Sequence, residues 1–282
     1  MIKRGIVMEG GAMRGMFTCG VTDLLMEEGI CFDGAIGVSA GATFGCNIKS
    51  NQQGRARRYC KKYSKDKRFG SFSSWRKTGD VYDVDFCYHQ LPEVLDPWDY
   101  QAFHENPMDF WVVATETESG KACYQKLQGP YEKDLLWITA SASMPLASRP
   151  VEIEGKKYLD GGISDSIPLK FMEDQGFEKI VVIETQPKGY RKKPQKFFWV
   201  IGGFLKKMPA IREAMKERYF VYNKEKEYIL SQEKEGKVLV IRPEKALGIS
   251  RMEHDPLELE RVYQEGRQVA KARLKEIKNY LQ

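Results

Sequence analysis

Three short segments carry the groups that nucleophilic chemistry would use. Gly37-Val38-Ser39-Ala40-Gly41 sets a serine hydroxyl between glycines two positions away on either side. A serine at a tight strand-to-helix turn exposes its Oγ and tolerates only small neighbours, which is the arrangement of a nucleophile elbow. Ala40 and Ala42 are small in the required places. The same residues also suit a plain Gly/Ser turn that caps a helix. The second segment is Gly10-Gly11-Ala12-Met13-Arg14-Gly15. A glycine-rich loop exposes backbone N–H groups to a developing oxyanion without side-chain obstruction, and Arg14 adds a positive charge. Such a loop suits a phosphate as well. It lacks the Gly-Lys-Ser/Thr ending of a P-loop, however, and Ala12 breaks the dinucleotide glycine spacing.

A serine hydroxyl needs a base. The chain has three histidines: His89, His104 and His254. In the order typical of α/β-hydrolases the histidine comes last, so His254 alone is placed for a Ser-Asp-His esterase. Its setting, Met252-Glu253-His254-Asp255-Pro256, reads equally as a surface histidine before a helix, and the other two read as structural. The third segment, Asp160-Gly161-Gly162, offers a carboxylate instead. An aspartate with an ordinary pKa near ~4 is a weak base for a hydroxyl. An apolar pocket that raises its pKa, and a short contact to the serine, would make it competent. No metal-ligand spacing is visible, and no cofactor is called for.

The elements that must position these groups are legible around them. Residues 3–8 read as a strand running into the glycine loop, and Phe17, Val21, Leu24 and Leu25 carry the spacing of a helix. Residues 32–38 read as a second strand, and a small-residue helix runs from about Ala40 to Lys49. Residues 110–116 and 121–127 form a predicted hairpin. A second predicted hairpin within 150–159 delivers Asp160 into its glycine turn. A helix near 168–175, strands at 179–185 and 238–241, and a helix from Asp255 complete the pattern. Asp255 is the expected N-cap, Pro256 the first helical residue and Glu258 the partner in a capping box. This is the grammar of an α/β protein with a mostly parallel sheet.

The 282 residues are enough for one large domain. With 42% apolar and 30% charged residues the chain is neither disordered nor fibrous. The net charge of +6 is concentrated in two stretches: ten Lys/Arg against one Asp over 55–77, and ten Lys/Arg against two Glu over 188–219. No nucleic-acid recognition motif accompanies them. In the second stretch Phe197 to Ile201, Phe204 and Leu205 lie beside Lys206 and Lys207. They suit a peripheral contact with an anionic membrane surface or a lid over an acyl pocket, and equally a core segment with a solvated face. The longest strongly apolar run, 197–205, is far short of the roughly 20 residues that a spanning helix needs. With six cysteines at no paired spacing and no secretory signal pattern, the expectation is a cytoplasmic protein with reduced thiols.

In this order the three segments resemble the patatin-like phospholipase family, whose pattern is a glycine-rich loop ending in Arg-Gly, then GxSxG, then Asp-Gly-Gly or Asp-Gly-Ala. Ala140-Ser141-Ala142-Ser143-Met144-Pro145 and Ile167-Pro168 are similar to that family too. The chain looks most like its small bacterial members with a C-terminal helical extension. The resemblance implies a three-layer α/β/α fold and a hydrolase domain over residues 5–175. Residues 176–282 would then complete the sheet edge and add helices within one compact unit. It implies a lipid acyl hydrolase in which Ser39 is the nucleophile, Asp160 the base, and Gly10, Gly11 and Ala12 with Arg14 the oxyanion loop. The substrate would be a phospholipid or other acyl ester. Many members carry glycine where this chain has Ala12, so a positive φ there would strain the loop. A catalytically weak, lipid-binding or regulatory member is the alternative that this departure leaves open.

Overall fold

The computed structural model describes residues 2–196 and 198–282. Its strands are β1 (Arg4–Met8), β2 (Gly34–Val38), β3 (Asp109–Glu116), β4 (Ala122–Lys126), β5 (Val151–Ile153), β6 (Lys156–Asp160), β7 (Lys179–Ile183) and β8 (Val238–Ile241). They join in one sheet of order β5-β6-β3-β2-β1-β7-β8, with β4 also paired to β3. The run β3-β2-β1-β7-β8 is parallel, and β4, β5 and β6 are antiparallel additions at one side. Strands such as Ile180-Val181-Val182-Ile183 are apolar throughout because helices cover both faces.

The helices are α1 (Gly15–Glu27), α2 (Ala40–Lys49), α3 (Arg55–Tyr63), α4 (Phe72–Thr78), α5 (Tyr100–Glu105), α6 (Tyr131–Ser141), α7 (Leu169–Asp174), α8 (Phe198–Phe204), α9 (Pro209–Lys234), α10 (Pro256–Ala272) and α11 (Leu274–Leu281). Alternate strand residues divide between two cores. Ile6 and Met8 of β1 face a core shared with Phe17 and Leu25 of α1, Phe44 of α2 and Val262 of α10. Val7, from the same strand, faces Met172 of α7 and Tyr222 and Ile229 of α9. This is a three-layer α/β/α architecture, as the sequence led us to expect.

Two details differ from expectation. Asp255 caps α10 by accepting from Leu257 N at 2.9 Å, but Glu258 does not close a capping box. It pairs with Arg261 instead, whose charged guanidinium is a stronger donor than a backbone amide. The basic stretch over 188–219 also contains the start of a helix absent from the expected pattern, the 26-residue α9. In the aromatic segment before it, Trp199 and Phe204 are exposed while Leu205 is buried. Its expected first residue, Phe197, lies outside the described residues.

Helix α10 crosses α1 at very short range. A Cβ on Gly20 would fall 2.0 Å from the Tyr263 carbonyl oxygen, and one on Gly266 would fall 2.1 Å from that of Phe17. Glycine at both positions is what lets the two backbones touch. Nearby, Tyr263 OH donates to the buried Asp23 at 2.8 Å. No helix among the described residues is long and apolar enough to cross a membrane.

Candidate active site

The connections lead from β1 to β2 and β3 in one direction, while β7 and β8 lie on the other side of β1. Open α/β sheets bind ligands where the strand order reverses in this way, outside the carboxyl ends of the strands. Here that crevice collects all three motif segments. Gly10 to Arg14 follow β1, Ser39 follows β2, and Asp160 ends β6. Ser39, Asp160, Gly10, Gly11, Ala12 and Arg14 all line one cavity of about 390 Å³.

Ser39 has φ 55 and ψ −119, a conformation that costs a non-glycine residue about 1–3 kcal/mol and persists only when the surroundings enforce it. The enforcement is visible. Ser39 N donates to Ser141 Oγ at 3.0 Å, and Ser39 O accepts from Ala42 N and Thr43 N. Gly41 lies so close to β1 that a Cβ there would be 2.2 Å from Met8 O. Asp160 is held from the same α6 end, its N–H donating to Ser143 O at 2.8 Å. The Ser141 hydroxyl and the Ser143 backbone carbonyl therefore latch both motif residues to one helix terminus.

Asp160 is 1% exposed. Burial raises its pKa above the ordinary carboxylate value. The Arg218 charge, the neighbouring Ser39 hydroxyl and the Gly162 N–H (2.7 Å) pull the other way without cancelling it. The Gly10 loop lies against the serine, since a Cβ on Gly10 would come within 2.9 Å of Ser39 Cβ. Among the described residues, the N–H groups of Gly10, Gly11, Ala12 and Ala40 find no protein acceptor. Arg14 braces this loop across Gly11 through a long contact, Nε to Thr185 Oγ1 at 3.4 Å.

Ala12 has φ 49, so the strain anticipated for an alanine at this position is present. An L-residue there costs roughly 1–2 kcal/mol. Ala12→Gly removes that cost and gives back part of it through a more flexible unfolded chain. We expect a net stabilisation of about 1 kcal/mol, read as a higher urea midpoint with an unchanged slope.

The histidines are elsewhere. His254 Nδ1 is bonded to Ser64 O at 2.7 Å, His89 to Glu93, and His104 lies beside the Tyr100 ring. None of the three lines the cavity.

The cavity has two unlike walls. One is apolar and aromatic, with Phe44, Tyr59, Phe69, Leu91, Trp98 and Ile138. Part of it comes from a π-helical segment, Phe86–Leu95, that contains Pro92; such segments are uncommon and often border functional sites. The other wall is polar and comes largely from residues that the sequence reading did not single out. Lys192, Arg218, Tyr222 and Arg251 face the cavity there. Tyr222 OH donates to Glu9 Oε1 at 2.7 Å, and Glu9 Oε2 in turn accepts from Thr185 N. This stitches α9 to the ends of β1 and β7. The exposed aromatics Trp199 and Phe204 do not line this cavity.

Residues 6–172 match the model of the patatin-like phospholipase family, and residues 208–282 match a domain of unknown function, DUF6363. An uncharacterized Escherichia coli (strain K12) protein, YjjU, is 33% identical over 205 residues, covering 68% of this chain and 54% of its own length. Lysophospholipase NTE1 of Cryptococcus neoformans is 26% identical over 200 residues, covering 66% of this chain. The chain spans only 12% of that fungal enzyme. Among solved structures, VipD from Legionella pneumophila aligns with 96% of this chain and 67% of its own, at 14% identity and a TM-score of 0.47. Because the family model covers more than half of the chain, the protein belongs to the patatin-like phospholipase family.

Proposed function

We propose that the protein is a serine acyl hydrolase that cleaves carboxylic esters of phospholipids or related acyl lipids, with Ser39 as nucleophile and Asp160 as its base. One observation carries this reading. A serine in an enforced, strained turn interacts with a fully buried carboxylate where an apolar wall meets a polar one. The family and the lysophospholipase relatives support the acyl-lipid class.

Asp160 accepts the Ser39 proton as Oγ attacks the ester carbonyl. The free N–H groups of the Gly10–Ala12 loop, with that of Ala40, receive the charge that develops on the carbonyl oxygen. When the tetrahedral intermediate collapses, Asp160 returns its proton to the departing alcohol and an acyl-Ser39 ester remains. Water then attacks that ester, giving its proton to Asp160, which passes it to Ser39 Oγ as the second tetrahedral intermediate collapses and the fatty acid leaves. The apolar wall takes the acyl chain, and burying it there keeps the carbonyl aligned. A histidine base has no support in this geometry, since no histidine reaches the cavity.

A fluorophosphonate probe tests the reading directly. Wild type is expected to label, and Ser39→Ala, folded by circular dichroism, is expected not to. Label retained on Ser39→Ala would place the reactive hydroxyl elsewhere. A folded wild type that never labels would favour the weak, lipid-binding alternative, for which the strained Ala12 is the specific reason.

A further inference from the structure

Four cations line the polar wall: Arg14, Lys192, Arg218 and Arg251. Two buried cations elsewhere are closely neutralised, whereas Lys49 lies over the Phe103 ring without an ion pair among the described residues. Lys226 meets Glu184 at 2.6 Å, and Arg242 meets Glu184 at 2.8 Å and Glu233 at 2.9 Å. The cavity quartet is treated differently, because among the described residues none of the four is ion-paired with a carboxylate. Lys192 Nζ sits 3.9 Å over the Tyr222 ring, and Arg218 Nε donates to Gly162 O. Arg14 reaches only the Thr185 hydroxyl.

The acids nearby do not make up the difference. Glu9 is occupied by Tyr222 and Thr185. Glu225 is raised by burial and by Asp165 beside it, so it holds its proton more tightly than an ordinary glutamate. Asp160 faces Arg218, and Glu9 and Glu225 act on Lys192, so the four cations meet no more than three acids, one of them the raised Glu225. The crowding shows in Lys192, which is pushed down to about 7 by burial and then by the Arg218 charge. Uncompensated positive charge at a partly desolvated wall is costly to the empty protein and attractive to an anion.

The position of the quartet says which part of a substrate would carry that anion. A Cβ on Gly162 would lie 3.1 Å from Asp160 Oδ1 and 3.4 Å from Arg218 Nη2, so little more than a methyl group separates the two side chains. In the mechanism proposed above Asp160 protonates the leaving alcohol, so the alcohol portion of the ester lies on this side and the acyl chain on the other. We propose that Lys192, Arg218 and Arg251, with Arg14, form an anion subsite for a phosphate carried on the alcohol portion of the scissile ester. Arg218 and Arg251 belong to the segment matched by the domain of unknown function, which on this view supplies part of the substrate-binding wall. A phosphomonoester dianion fits best, because no free carboxylate stands ready to receive a cationic headgroup. The assignment of the phosphate to the alcohol side rests on the acyl-hydrolase reading.

The test separates the two ideas by using Ser39→Ala protein, which is inert in the proposed mechanism, for binding. It is titrated calorimetrically with a short-chain monoacylglycerol 3-phosphate and with the matched monoacylglycerol. We expect the phosphorylated ligand to bind at least tenfold tighter. That advantage should fall with added NaCl and be largely lost on adding Lys192→Gln or Arg251→Gln, each checked for an unchanged thermal midpoint. Equal affinities, or a preference that survives both substitutions, would overturn the subsite. Inorganic phosphate binding as tightly as the phosphorylated lipid would overturn its assignment to a lipid headgroup in favour of a free anion. Wild type that turns over neither ligand, beside a Ser39→Ala protein that still prefers the phosphorylated one, would support the subsite and sink the hydrolase reading.

Discussion

Asp160→Asn is expected to cut ester turnover by about 10³-fold, the usual scale for removing a positioned base, while raising the thermal midpoint at neutral pH. The two effects have one cause. Burial raises the Asp160 pKa in the folded protein above its unfolded value. A group shifted in this direction contributes stability that is fully present below the unfolded pKa and is lost as pH rises through the folded one. At neutral pH the ionised carboxylate therefore costs the fold stability. Asparagine has nearly the same shape, keeps an oxygen for the Gly162 N–H, and carries no charge to desolvate. It also leaves Arg218 without its counter-charge, but burial is the larger influence on Asp160. The midpoint gain should be present at pH 8 and vanish once pH drops below about 4. The acid limb of wild-type kcat/KM should likewise lie above the ordinary aspartate range. Undiminished turnover of p-nitrophenyl esters by Asp160→Asn would rule out the dyad, and a lower midpoint at pH 8 would contradict the electrostatic account.

Alongside Gly37→Ala and Gly161→Ala, Gly41→Ala is expected to be among the most damaging single methyl additions in the site. Its Cβ would lie 2.2 Å from Met8 O and 2.8 Å from Met8 C. Both atoms are backbone of the central strand, so no side chain can turn aside and α2 must move off β1. Overpacking of this kind costs about 3 kcal/mol, or roughly 5 °C in thermal midpoint for a chain of 282 residues. Gly45→Ala, one turn later in the same helix, is the control. Its Cβ would meet the Met8 Cε and Sδ atoms, the flexible end of a side chain, and the loss should be less than half as large. Equal urea midpoints for the two variants would refute the backbone-contact explanation. Loss of labelling at Ser39 in a still-folded Gly41→Ala would show how tightly the turn depends on β1.

The contrast between these positions explains what could be read in the sequence. Ser39, Asp160 and their glycines were legible because the constraint on each is local. A serine on a sharp turn and a helix touching a strand both demand small residues at fixed offsets. The hairpins and parallel strands were legible for the same reason, through alternation and short apolar runs. Lys192 and Arg218 were not, because a run of lysines and arginines reads as a solvated face whether or not one member turns inward. A finer signal was present in α9. Ile211, Met215, Arg218, Tyr222, Lys226 and Ile229 follow one another at spacings of three and four, with two cations set into an otherwise apolar stripe. Cations in such a stripe ask for a counter-charge. Lys226 finds one in Glu184, and Arg218 faces the cavity. The latch made by the Ser141 hydroxyl and the Ser143 carbonyl had no comparable signal, since a serine that serves another residue's amide looks like any other small residue and every residue has a carbonyl.

The crossing of α1 and α10 has a consequence during biosynthesis. The two helices meet through backbone, and the Tyr263–Asp23 bond joins residues 240 positions apart. At a translation rate of about 5–20 residues per second, the partner of α1 leaves the ribosome roughly 10–50 s after α1 itself. For that interval the nascent chain carries an apolar helix face, notched by Gly20, that nothing yet covers. Folding of the layer that backs the serine turn thus waits for a helix made much later, so the protein's greatest exposure to aggregation and to chaperones falls while it is being made.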